Sequence, residues 1–177
     1  MASNLTLPLG TAARLRFAGL ALLGSALLAA SAQVALPMWP VPATLQSLVV
    51  LLLGSLGGAR LGLAAVALYL AEGVLGLPVF AGGAAGPAAL AGPTAGYLLG
   101  FLPAAWLAGA LTRRRGWWRQ ALGLLAAHCV VFVPGLLWLA GFIGLERAVM
   151  AGFLLFLPAT LVKTGLALAV LQAVRHR

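Results

Sequence analysis

Residues 43–77 read ATLQSLVVLLLGSLGGARLGLAAVALYLAEGVLGL, and whether this stretch holds one helix or two decides the fold. It is apolar almost throughout, yet its 35 residues are too many for one helical crossing of ~30 Å of hydrocarbon at ~1.5 Å per residue. Gly54, Gly57, Gly58 and Gly62, with Arg60 among them, mark a turn near its middle. The stretch reads as a short helix near 43–56 and a second helix near 60–76. The first covers only about 20 Å on the same rise, so it needs protein neighbours or a thinned bilayer to cross.

Outward from this stretch, apolar runs of spanning length predict helices near 15–36, 94–112, 119–140 and 148–174. The composition agrees: 63% hydrophobic, 7% charged, no aspartate and a mean hydropathy of +1.11. This is an all-α, polytopic membrane protein with six transmembrane helices in a single domain over 1–177, and no stretch is polar enough for a soluble second domain. The net charge of +9 does not point to nucleic acid, because the arginines sit at the ends of apolar runs rather than on a solvated face.

Those arginines set the topology, since cytoplasmic connections carry the excess of Lys and Arg. With six helices and both termini cytoplasmic, residues 1–13 form a short inner segment. Arg14, Arg16, Arg60, the Arg113-Arg114-Arg115 run, Arg119, Arg175 and Arg177 then all fall inside, nine of the eleven cations. The outside receives Arg147 beside Glu146 and two uncharged connections, 37–42 and 78–93. With five helices the basic run at 113–119 would land opposite Arg14 and Arg16. The first helix also imitates a secretory signal, with Ala30-Ser31-Ala32 as a small-residue site. The competing reading is packing, for Ala21, Ser25 and Ala29 share one face.

Lys163 is the only lysine, and it lies inside the apolar run from Val149 to Val174. A cation at that depth costs roughly 3 kcal/mol and faces a cavity, an ion path, a ligand or an ion-pair partner. Two glutamates exist to pair with it, and Glu72 is the one embedded near the outer face. Thr160 shares a helix face with Lys163 at i+3 spacing. Pro158 reads as a mid-helix break that frees the carbonyl of Leu154.

Two outer connections have unusual chemistry. The first carries Pro37, Pro40 and Pro42; Pro42 is predicted in the first turn of the next helix, with Trp39 an interfacial anchor. Gln46, an amide within lipid, needs hydrogen-bond partners. The second runs from Gly76 through Pro78, Phe80, Gly82, Gly83 and Gly86 to Thr94 and Tyr97. Apolar and glycine-rich, it is predicted to fold back as a cap whose backbone at Gly82 and Gly83 approaches a ligand. Thr94 and Tyr97 would face that cap.

The order PVPATLQ, GLPVFAGG, GPTAGYLLGF and a last helix with a proline five residues before a single lysine resembles the BioY family, the biotin-binding S components of energy-coupling factor transporters. The resemblance spans about residues 14–174. It implies a six-helix subunit in a prokaryotic cell membrane that captures biotin from outside and works with a transmembrane T component and ATPase subunits. It further implies Lys163, Phe80, Gly82, Gly83, Thr94, Tyr97 and Gln46 as pocket residues, with no cofactor beyond the ligand. The chain departs from the family at Thr160, where the resemblance leads one to expect an aspartate. A hydroxyl there can hydrogen-bond a ureido group but cannot neutralise Lys163. Glu72 stands as a ureido acceptor, a proton-carrying group or a partner for another helix.

No Gly-x4-Gly-Lys-Ser/Thr loop is present, so ATP hydrolysis is expected on partner subunits and no enzyme activity in this chain. Three rival readings remain. An intramembrane enzyme would use Glu72, His128 and Cys129; a proton-coupled carrier would work alone through Glu72; an S component could serve another vitamin.

Overall fold

The computed structural model describes residues 10–113 and 115–175; Arg114, Arg177 and residues 1–9 of the inner segment lie outside the described residues. The architecture is mostly helical. Helix α1 (Thr11–Ala32) leads into a ribbon of β1 (Ala35–Leu36) and β2 (Ala43–Thr44). Then follow α2 (Gln46–Gly57), α3 (Ala59–Val74), α4 (Ala95–Thr112), α5 (Trp117–Ile143), α6 (Leu145–Gly152) and α7 (Leu157–Arg175). Among the described residues, four stretches are long and apolar enough to cross a membrane: α1, α4, α5 and Leu145–Arg175, while α2 is apolar but shorter.

The turn inside 43–77 is Gly58, whose φ of +86° separates α2 from α3 with no loop between them. A side chain would be strained at that φ. Gly54 and Gly62, grouped with the turn in the sequence, serve close packing instead. A Cβ on Gly62 would lie 2.7 Å from the Gly54 Cα, and one on Gly109 would lie 2.7 Å from the Gly54 carbonyl oxygen. Helices α2, α3 and α4 therefore meet backbone to backbone, as small residues allow in lipid.

Three expectations about helix ends are corrected. The first helix, predicted near 15–36, stops at Ala32, and the one predicted near 43–56 begins at Gln46. Between them Ala35 pairs with Thr44 and Leu36 with Ala43, antiparallel. The prolines of this connection lack N–H donors and push their neighbours into extended backbone, so the segment closes as a ribbon and Pro42 precedes a strand instead of opening a helix.

The helix predicted near 148–174 is the third. It breaks at Phe153 (φ −128°, ψ −62°) into α6, a 3-10 turn at Leu154–Phe156 and α7. Pro158 consequently sits in the first turn of α7, where a missing N–H costs little, and does not break a helix midway.

The connection between α3 and α4 folds back over the bundle through 3-10 turns at Ala81–Gly83 and Pro87–Leu90. Phe80 anchors it, buried against Gly73, whose missing Cβ would collide with the ring. Backbone pairing holds the rest: the Gly86 N–H donates to the Gly73 carbonyl at 2.7 Å. From α1, Gln33 Nε2 donates to the Phe80 carbonyl at 3.0 Å.

Candidate functional site: a capped chamber reaching Lys163

A cavity of ≈ 280 Å³ lies under the cap. The ribbon and the loop that closes it contribute Val41, Pro42 and Thr44, α2 contributes Gln46, the cap Phe80, Ala81, Ala84 and Ala89, and α4 with the residue just before it Thr94, Tyr97, Leu98 and Phe101. A smaller space of ≈ 60 Å³ shares Val41, Pro42, Thr44, Tyr97 and Phe101 with it and continues to Ser47, Phe156 and Lys163. The two adjoining spaces reach the lower end of the ~300–1,000 Å³ typical of small-molecule sites. The lining is apolar with a few placed polar atoms, which is the usual composition of such sites.

Two of the rings, Tyr97 and Phe80, are fixed from behind. The Tyr97 hydroxyl donates to the Gly152 carbonyl at 3.0 Å, using an acceptor near the break between α6 and α7. Its ring lies where a side chain on Gly135 would stand and its hydroxyl where one on Gly152 would, so glycines on α5 and α6 make its berth. Phe80 packs edge-on against Tyr69 with centroids 5.4 Å apart. Gln46 Nε2 donates to the Tyr69 hydroxyl at 2.7 Å, and Gln46 Oε1 accepts from Thr44 Oγ1 at 2.9 Å. Tyr69 in turn donates to the Val79 carbonyl at 3.3 Å, tying α2 and α3 to the start of the cap. An amide has two N–H donors, so Gln46 keeps one beyond this network.

Lys163 reaches across from α7 to the start of α2. Its Nζ donates to the Thr44 carbonyl at 2.6 Å and to Ser47 Oγ at 3.2 Å, which leaves one ammonium N–H uncommitted. Neither glutamate is its partner. The Glu72 carboxylate accepts from Ser25 Oγ across α1 and α3, and Glu146 lines a separate hollow with Trp39 and Arg147.

The structure thus brings Gln46, Phe80, Thr94, Tyr97 and Lys163 to the two adjoining spaces. It does not bring Gly82, Gly83, Thr160 or Glu72 there. Gly82 and Gly83 take φ of +68° and +74° with open space where a Cβ would stand, so the turn requires them. Thr160 is buried in α7 but lines neither space. Glu72 is committed to Ser25. Thr44, Ser47 and Phe101 were missed in the sequence. Ser47 could have been found, since it follows Gln46 at the start of the same helix; the Thr44 carbonyl could not, because every residue has one.

His128 and Cys129 face apart: His128 is buried with Nδ1 3.0 Å from Thr164 Oγ1, while Cys129 is exposed. Neighbours on a helix do not share a face, so they form no acid–nucleophile pair.

Fold and chamber together define a helical membrane protein built around a capped, mostly apolar small-molecule chamber. The chain belongs to the BioY family, whose model matches residues 4–177. It is 36% identical over 147 residues to the probable biotin transporter BioY of Pyrococcus horikoshii, covering 83% of this chain and 88% of that one. To the biotin transporter BioY of Thermotoga maritima it is 36% identical over 154 residues, covering 85% and 89%. The crystal structure of an S-component for biotin from an ECF-type ABC transporter superposes with a TM-score of 0.85 over 96% of each chain. At 24% identity that last likeness is one of fold.

Proposed function

We propose that this chain is the biotin-binding S component of an energy-coupling factor transporter in a prokaryotic plasma membrane. It takes biotin from outside and passes it inward with a T component and ATPase subunits that supply the energy. The names of the family relatives support the ligand. The observation that carries the reading is the capped chamber that adjoins Lys163 through Tyr97 and Phe101.

Six crossings with both termini inside are part of the proposal. Helices α2 and α3 form two of them, joined at Gly58, and α6 with α7 form the last. Arg14, Arg16, Arg60, Arg113, Arg115, Arg119 and Arg175 then share the cytoplasmic end, which the positive-inside rule favours. The cap opens outward.

In the chamber, biotin's thioether bicycle lies against Phe80, Tyr97 and Phe101. Its polar atoms meet Gln46, Thr94 and the free N–H of Lys163. Lys163 has no carboxylate beside it, so the Thr160 departure leaves its charge to be met by the carbonyl of Thr44, Ser47 and the ligand. The test is a calorimetric titration of the detergent-purified chain against biotin with no partner subunits. Saturable binding at nanomolar to low micromolar biotin is expected; folded protein that gives no saturable heat refutes the assignment.

A further inference from the structure

A hollow of ≈ 650 Å³ opens at the end of the bundle opposite the cap, where α1 begins, α2 turns into α3 and α4 ends. Three arginines from three different elements line it: Arg16 of α1, Arg60 of α3 and Arg113 just beyond α4. Arg113 folds inward over the turn, so that a Cβ on Gly58 would lie 3.5 Å from a guanidinium nitrogen. The rest of the wall includes Phe17, Leu20 and Leu61.

This concentration of positive charge has no counter-charge from the protein's own side chains. The chain has two carboxylate side chains in all, and both are elsewhere: Glu72 on Ser25, and Glu146 in the hollow with Trp39 and Arg147. Like charges gathered around one space repel unless an anion enters it. Guanidinium forks match phosphate oxygens in pairs, and arginine is less strongly hydrated than lysine. Next to the arginines, α1 turns Leu15 and Leu20 outward, at 69% and 43% exposure, continuing the apolar wall along the face a lipid would cover.

We propose that this hollow is a binding site for an anionic phospholipid, with the phosphate held by Arg16, Arg60 and Arg113 and an acyl chain lying along Phe17 and Leu20. Phosphate between the arginines pulls α1, the α2–α3 turn and the end of α4 together. In the orientation proposed above, this end faces the cytoplasmic leaflet, where basic pockets between transmembrane helices meet acidic headgroups. The site is separate from the capped chamber.

The test is native mass spectrometry of the delipidated, detergent-purified chain with phosphatidylglycerol or phosphatidylcholine added. Phosphatidylglycerol is expected to be retained at least tenfold better, with the preference shrinking in about 0.5 M salt. A variant combining Arg16→Gln, Arg60→Gln and Arg113→Gln should lose the preference while titrating biotin as the wild type does. Equal retention of the two lipids overturns the proposal, as does a preference that survives in the triple variant. Displacement of phosphatidylglycerol by an equal concentration of inorganic phosphate would make this a soluble-anion site and also overturn it. Loss of T-component association in the triple variant with the lipid preference unchanged would assign the hollow to a protein contact instead. If the triple variant does not fold, Arg113→Gln alone and the wild-type salt series decide. Biotin titration of the same samples reads the vitamin assignment independently.

Discussion

Helix α4 meets its neighbours differently at its two ends. Near the cap it packs on α5 through Gly96 and Gly100, while Tyr97 and Phe101 line the chamber it shares with the ribbon, the start of α2 and the cap. Beyond Pro103 it presents Ala104, Ala105, Ala108 and Gly109, and there α2 and α3 come into backbone contact with it. Both ends bury apolar surface. The difference is that rings with one hydrogen-bonded hydroxyl act as props, whereas alanine and glycine let backbones close. A membrane protein can thus keep a ligand space beside one half of a helix whose other half packs backbone to backbone against its neighbours in a seam.

This comparison can be broken most severely in the seam. Gly54→Val puts a branched side chain onto the Ala105 carbonyl, and overpacking of that kind costs up to about 3 kcal/mol or more. The expected outcome is loss of monodisperse protein on size exclusion, or a large fall in melting temperature. Recovery of normally folded protein would mean that the seam is not close-packed.

At the chamber end the largest effect is expected on binding, not folding. Lys163→Ala should weaken biotin binding by well over tenfold, since it removes a desolvated donor that also fastens α7 to the start of α2. Calorimetry of the variant checks this, and wild-type affinity would return Lys163 to a purely structural role. Tyr97→Phe keeps the prop but leaves the Gly152 carbonyl without its donor. It should cost about 1 kcal/mol in stability, with a several-fold drop in affinity. An unchanged melting temperature would show that this hydrogen bond does not hold the ring.

The smallest effects sharpen the boundary of the site. Gly82→Ala strains a backbone at φ +68° by about 1 kcal/mol, yet its Cβ points into open space, so biotin affinity should stay within about threefold. Glu72→Gln preserves an acceptor for Ser25 and lies off the chamber, so it should also leave binding within about twofold. A tenfold loss in either, by titration, would redraw the chamber.

Much of this was legible in the chain. Lys163 announced itself because a lone cation in an apolar run must have a reason, and the uncharged, glycine-rich segment around Phe80 could be read as a cap because a free linker would be polar. Gly58 showed as a turn from the cluster around it. What could not be read was the division of labour among similar residues. Gly54 and Gly62 pack while Gly58 turns, and the distinction depends on which helix passes by. Gly82 and Gly83 looked like places for a ligand; the structure holds them at positive φ in the cap, between Ala81 and Ala84, which do line the chamber. Thr160 lay on the face of Lys163 by spacing alone, but the lysine stem is long and reaches α2, leaving the threonine behind.

The sequence by itself determined the mostly helical, membrane-embedded character of the chain and the lone lysine in its last apolar run, because these follow from hydropathy and charge, which are sums over local residues. Only the tertiary structure decided that the last helix breaks at Phe153, that Gly152 and Gly135 make room for Tyr97, and that Lys163 is met by a carbonyl and Ser47 in place of a carboxylate. Those outcomes depend on distances between segments far apart in the chain. A helix's partners in lipid are chosen by shape and by the few polar atoms that must be satisfied, not by how apolar it is.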